Sequence, residues 1–257
     1  MTMRRFLYTL IIVFGIVSTT NAQLDPLFFQ QTNLRALINP ASTGKGGDIN
    51  IAATMRMQWI GFTGMSSQAA QAHGFVNSLR SGFGARFVMD EYGPKQTKNI
   101  KLNYAFYAPI NDDAFLSLGL GLGVINNVYK GGDYFFPSHP DDPSIPMETK
   151  SDTRPDLDFG IEFNTSRFEI GAAATHMISS FGTIFGDSDP IYDHPMRNYY
   201  VYSRAKLSIN PHWDFIPGAT WHFNQWQSSY EVIMGVRYDN NLIVNVAYRN
   251  QIGRAHV

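Results

Sequence analysis

The residues most capable of chemistry fall into three groups, and the first is a loop. Residues 42–48 read STGKGGD, three glycines and a lysine beside two hydroxyls, a composition that could cradle a phosphate. A phosphate loop needs G-x-x-x-x-G-K-[ST] between a strand and a helix. Here the lysine precedes the glycine pair, no strand pattern comes before it, and no helical periodicity follows. The stretch therefore reads as a flexible linker that delivers the chain into a strand.

The second group is the histidines. Seven are present, including His73, His139, His176, His194 and His222, and none shows H-x-x-x-H or comparable ligand spacing. His139 stands with Asp141 and Asp142 in PSHPDDPSIP, and His194 with Asp187, Asp189 and Asp193 in FGDSDPIYDHP. Acidic loops of this kind can hold calcium or zinc, but without a binding motif they read as solvated loops. A Ser–His–acid hydrolase would need residues that converge in space, and no G-x-S-x-G signal marks one. No catalytic residue, metal ligand or cofactor is assigned.

The third group is a set of charges at alternating positions: Arg56, Arg86, Lys101, Asp158, Glu162, Glu169, Arg204, Lys206, Glu231, Arg237 and Arg249. Each falls opposite an apolar face in a stretch of period-two alternation, the signature of strands with one polar and one apolar side. INIAATMRMQW sets Ile49, Ile51, Ala53, Met55, Met57 and Trp59 against Asn50, Thr54, Arg56 and Gln58. IKLNYAFYA sets Ile100, Leu102, Tyr104 and Phe106 against Lys101 and Asn103, and LSLGLGLGV sets leucines against Ser117 and three glycines. DLDFGIEF, YEVIMGVRY and LIVNVAYRN repeat the pattern to residue 250.

Eleven such strands can be counted, most of them 9–12 residues long. That length suits a tilted strand crossing a bilayer, about 9–11 residues. NSLRSG, NDD, NTSR, NP and DNN are tight polar turns, whereas 130–153 and 179–197 are long loops rich in Pro, Asp, Ser and Gly. Short turns at one rim, long loops at the other and aromatics near strand ends fit an antiparallel outer-membrane β-barrel. A soluble β-sandwich also alternates, but its strands are shorter, typically about 5–6 residues. Charges of both signs inside one lumen would pair across it, so a largely occluded interior is expected.

Composition agrees. Aromatics are 14% and charged residues 16%, against roughly 25% charged in soluble domains. A net charge of −1 gives no reason to expect nucleic-acid binding, and zero cysteines exclude disulfides and thiolate metal sites. At the start, Arg4 and Arg5 precede the apolar run 6–17, and Thr20 and Ala22 supply small residues before Gln23. That is the layout of a secretory signal peptide over 1–22. Residues 23–47 are then expected as an N-terminal periplasmic segment and linker, and 48–251 as an incomplete membrane barrel. IGRAHV, at 252–257, departs from the alternation and is expected to be non-native, since ATC GGA AGA GCA CAC GTC would encode it and resembles a sequencing-library adapter.

DPLFFQQTNLRALINPASTG at 25–44, followed by MRMQWIGFTG, resembles the N-terminal signature of the PorP/SprF family of Bacteroidetes outer-membrane proteins. Asp25 and Pro26 fit its opening, Asn39, Pro40, Ala41 and Gly44 its turn, and Arg56, Gln58 and Trp59 its strand end. The chain departs from that pattern at Leu24, an extra residue, and at Gln30–Gln31, where Ser-Gln is usual. The resemblance implies about fourteen strands, so three would follow the eleven counted. It implies a non-enzymatic component or accessory of the type IX secretion and gliding machinery, seated in outer-membrane lipid. Its implied partners are a surface adhesin and periplasmic ring or peptidoglycan-binding proteins. A diffusion channel and a barrel lipid hydrolase stand as alternatives, the first separable by conductance and the second by activity loss at His176 or His222.

Overall fold

The structure, a computed structural model, describes residues 34–47, 49–57, 65–130, 148–178, 196–224, 228–239 and 241–250. A short helix α1 (Arg35–Ile38) and a 3-10 turn (Pro40–Ser42) precede the strands. These are β1 (Asn50–Met57), β2 (Met65–Val76), β3 (Ser81–Tyr92), β4 (Lys95–Pro109), β5 (Ala114–Lys130), β6 (Thr149–Thr165), β7 (Phe168–Thr175), β8 (Asn198–Ala205), β9 (Leu207–Ser208), β10 (Trp213–Phe223), β11 (Ser228–Tyr238) and β12 (Leu242–Asn250). All join one antiparallel sheet in which each strand lies beside its sequence neighbour.

The eleven strands expected from alternation are all present. The twelfth arises because β8 and β9 together pair with β10 as one interrupted strand. The interruption falls opposite Pro217, which has no N–H to give to a ladder. Among the described residues, tight turns join β2 to β3, β3 to β4, β4 to β5 and β6 to β7, where the register is fixed by the turn and by the alternation.

One face of the sheet is apolar and exposed along nearly its whole width. Ile51, Ile100, Leu102, Leu118, Leu122, Phe159, Ile161, Val201, Met234, Val244 and Val246 all point out, with Leu102 68% and Val246 72% accessible. Exposed apolar area on this scale is what lipid, not water, accommodates. The opposite face buries Lys101, Ser117, Asp156, Asp158, Glu162, Asn164 and Glu231. The apolar and polar faces are the ones that the alternation predicts.

The sheet curls with its polar face inward. Arg56 on β1 lies close enough to Arg249 on β12 to feel its charge, so the two ends of the sheet approach one another. Among the described residues β1 and β12 remain its edges, without a ladder between them. The strand ends flanking 77–80, 110–113, 166–167, 209–212 and 239–241 lie at one rim, and those flanking 93–94, 131–148 and 176–197 lie at the other. The chain enters β1 from the short-turn rim.

Candidate functional site

The centre of the curled sheet is filled by the chain's own N-terminal segment. Residues 34–44 are almost all buried, with Ala41, Asn39 and Thr43 fully so. They touch every strand from β2 to β8 on its inner side. This corrects the linker reading of residues 42–48. Ser42, Thr43 and Gly44 are packed inside, and among the described residues of this stretch Gly46 and Gly47 are exposed. The polarity that suggested a solvated loop instead matches a polar lumen, a match that no local periodicity reports.

Asn39 organises the segment. Its side-chain oxygen accepts from Ala41 N at 2.9 Å and caps the 3-10 turn, with Pro40 in that turn's first position. Its amide donates to the Tyr202 hydroxyl at 2.9 Å and to the Ile161 carbonyl at 3.2 Å, tying β6 and β8 to the turn. Tyr202 in turn donates to Glu162, which also receives the Ser42 hydroxyl at 2.5 Å and the Lys45 ammonium at 3.0 Å. Arg35 pairs with Glu169, which Lys45 also reaches at 3.1 Å. On the other side the Tyr107 hydroxyl donates to the Thr43 carbonyl at 2.9 Å, and Gly44 N donates to His73 Nδ1 at 3.1 Å. Each net hydrogen bond contributes about 1 kcal/mol, so the seat depends on their number. Burial pushes the Lys45 ammonium down to about 8, with Glu162 pulling the other way.

Glycines make room for this backbone. A Cβ on Gly119 would collide with Pro40 and Ala41, one on Gly160 with Asn39, and one on Gly82 with Thr43. Gly44 has φ +87° and sits against Gly82, so both its conformation and its space require the missing side chain. Of the glycines seen in the sequence as the small side of β5, Gly119 abuts this segment, while Gly121 lies against Asn103 and Asp158 and Gly123 against the Ile100 and Lys101 backbone.

A second buried cluster lies beside α1. Asp158 accepts from both Arg86 and Lys101, and Lys101 also meets Asp156 at 2.7 Å. Asp156 receives Asn99 Nδ2 at 3.0 Å and contacts His176 Nδ1 at 2.6 Å. Arg86 also donates to the Leu37 carbonyl, joining the cluster to the segment. Lys101, Asp156 and Asp158 have no exposed side-chain surface, so the pairing must satisfy them fully.

The remaining sequence-singled charges lie apart. Arg237 pairs with Asp214 at 2.7 Å and Arg249 with Glu231 at 2.7 Å, each between register partners. Lys206 approaches Asp214 at 3.8 Å near the rim. Arg204 points inward beside Arg35 and makes no hydrogen bond or ion pair among the described residues. His222 stacks on Tyr200 with ring centroids 4.3 Å apart and contacts Asn198. Asp25, Pro26, Gln58, Trp59, His139 and His194, the signal segment and the 252–257 tail lie outside the described residues. Sequence reasoning passed over Tyr202, Asn99 and Asp156, whose only signal was sharing a strand face with the charges, and it read Ser42 as part of a linker.

None of the curated proteins compared with this chain matches it. A crystal structure of a Pseudomonas aeruginosa FadL homologue is similar at TM-score 0.40 and 14% identity, over 72% of this chain. The matched part spans 60% of that structure's length. The family model for the type IX secretion system membrane protein PorP/SprF matches residues 20–255, nearly the whole chain, and the protein belongs to that family.

Proposed function

We propose that this protein is a non-enzymatic outer-membrane barrel, exported through its 1–22 signal segment, that serves the type IX secretion and gliding machinery as a scaffold. It supports the secretion or surface attachment of an adhesin and contacts periplasmic ring or peptidoglycan-binding proteins. The observation that carries this reading is the interior occupied by residues 34–45, held by hydrogen bonds and ion pairs to the wall. A filled interior is of little use to a diffusion channel, while the rims stay available to partners.

On this reading the short-turn rim faces the periplasm, and the segment 23–48 meets periplasmic partners where it emerges there. The loops 131–148 and 176–197 face outward and engage the adhesin. Two measurements test it together. The purified full-length protein in planar bilayers should give no steady conductance in the nanosiemens range. Deleting the gene should remove an adhesin from the cell surface without making the envelope leaky to small solutes. A stable large pore, or unchanged surface display of every secreted adhesin, would overturn the reading.

A further inference from the structure

The lipid-facing side of the sheet changes character partway along β4, β5 and β6. Its apolar residues occupy alternate positions over 100–108 on β4, 116–124 on β5 and 155–163 on β6. A tilted strand crosses a bilayer in about 9–11 residues, so these stretches suffice to span the hydrocarbon. The strands nevertheless continue past them, β5 to Lys130 and β6 back to Thr149, at the rim of the long connections. The border falls between two register rows. Phe87, Ile100, Val124 and Pro155 form the last apolar row, and Met89, Lys98, Asn126 and Thr153 the next.

Charge on this side is confined to the same place. The charged residues that face lipid on the described strands are Glu91, Lys98 and Lys130, all beyond the border on β3, β4 and β5. Glu91 is engaged: Gln96 donates to it, the Ser66 hydroxyl reaches it at 3.4 Å, and the Lys130 ammonium lies 3.7 Å away. Lys98 makes no hydrogen bond or ion pair among the described residues. Two strands along the row, about 10 Å at the usual strand spacing, stands Thr153. Asn126 Nδ2 donates to the Ser151 and Thr153 hydroxyl oxygens at 2.9 and 2.7 Å, which leaves each hydroxyl its own hydrogen to give.

From these observations we propose that this patch binds the phosphate of an anionic membrane lipid. Lys98 is the charged anchor, and the Ser151 and Thr153 hydroxyls are the donors beside it. A lipid is the occupant because the patch is continuous with the apolar band. Acyl chains lying on Ile100, Val124 and Pro155 bring a headgroup to the row above, where the lysine stem stays in the apolar layer and its ammonium meets the phosphate. The inference rests on the seat of the sheet in a membrane and not on the secretion role, so its failure would leave that role standing.

The test uses the full-length protein in detergent, with folding verified by heat-modifiable migration on gels. It is titrated with phosphatidylglycerol or phosphatidylcholine, and bound lipid is counted by native mass spectrometry. Phosphatidylglycerol should be held more tightly than phosphatidylcholine. K98Q should weaken its binding about fivefold, the worth of one cation at an anionic surface. K98R should retain it, and R80Q, in an exposed turn at the opposite rim, should leave it unchanged. If K98Q does not fold, Ser151→Ala combined with Thr153→Val is expected to weaken binding in its place. Equal binding of the two lipids, no loss in the folded variants, or an equal loss in R80Q would overturn the site. Displacement of the lipid by inorganic phosphate would overturn a lipid as its occupant.

Discussion

The interior of β2–β8 and that of β10–β12 solve the same problem in different ways. Both must place charges inside a curled sheet. In β10–β12 each charge is matched by its own register partner, Asp214 with Arg237 and Glu231 with Arg249. In β2–β8 the charges reach over longer distances, as Arg86 on β3 does to Asp158 on β6, and into the N-terminal segment. Cross-strand pairs are self-sufficient and need only the ladder. The long-range set exists only once the sheet has curled and the segment has seated, so folding of that half is coupled to docking.

That contrast can be broken most sharply at Asp158. Asp158→Asn leaves Arg86 and Lys101 buried without their shared carboxylate, and breaking such a pair costs about 3–5 kcal/mol. The chemical-denaturation midpoint in detergent micelles should fall steeply, and a shift as small as that of a rim variant would contradict a coupled interior. On the outer face, Leu122→Arg puts a charge into lipid at about 2–4 kcal/mol near the midplane. Refolding into bilayers should register this loss, whereas detergent, which adapts to the charge, should show less of it.

Gly119→Val tests the seat itself. Its side chain meets the Ala41 backbone, and overpacking of this kind costs about 1–3 kcal/mol. Limited proteolysis should cut the segment 34–47 in the variant and spare it in the wild type, with the strands protected in both. Arg237→Ala, in a partly exposed cross-strand pair, should cost about 0.2–1 kcal/mol, and the midpoint should barely move.

A pH effect tests the same seat. Lys45 titrates near 8 when docked and near its ordinary 10.5 when the segment is free. The undocked state therefore binds more protons between those values, so docking strengthens as pH rises from about 8 to 10.5. Protease protection of the segment should increase across that window, and K45M should flatten the response.

The sheet itself was legible in the sequence because a strand's side chains alternate with a fixed period and a lipid-facing surface demands apolar residues at every second position. Ile100, Leu102 and Phe106 could be assigned outward, and Lys101 and Asn103 inward, from neighbours alone. Turn lengths sorted the two rims only in part, since the two-residue turn 93–94 lies at the same rim as the long connections. The INPASTG stretch was legible as a motif but not as a location. Nothing within ten residues of Asn39 says that its amide will meet Tyr202, 163 positions away.

What the sequence by itself determined, then, is the strand count, the two faces of the sheet and the family. All of these follow from local periodicity or a contiguous motif. Tertiary structure alone decided that the motif turn occupies the interior, that Gly82, Gly119 and Gly160 form its seat, and that Glu169 abandons Arg204 for Arg35. Those outcomes depend on which distant residues the curl of the sheet brings within a few ångströms. A period-two pattern gives the direction of a side chain and is silent about what stands opposite it across a lumen.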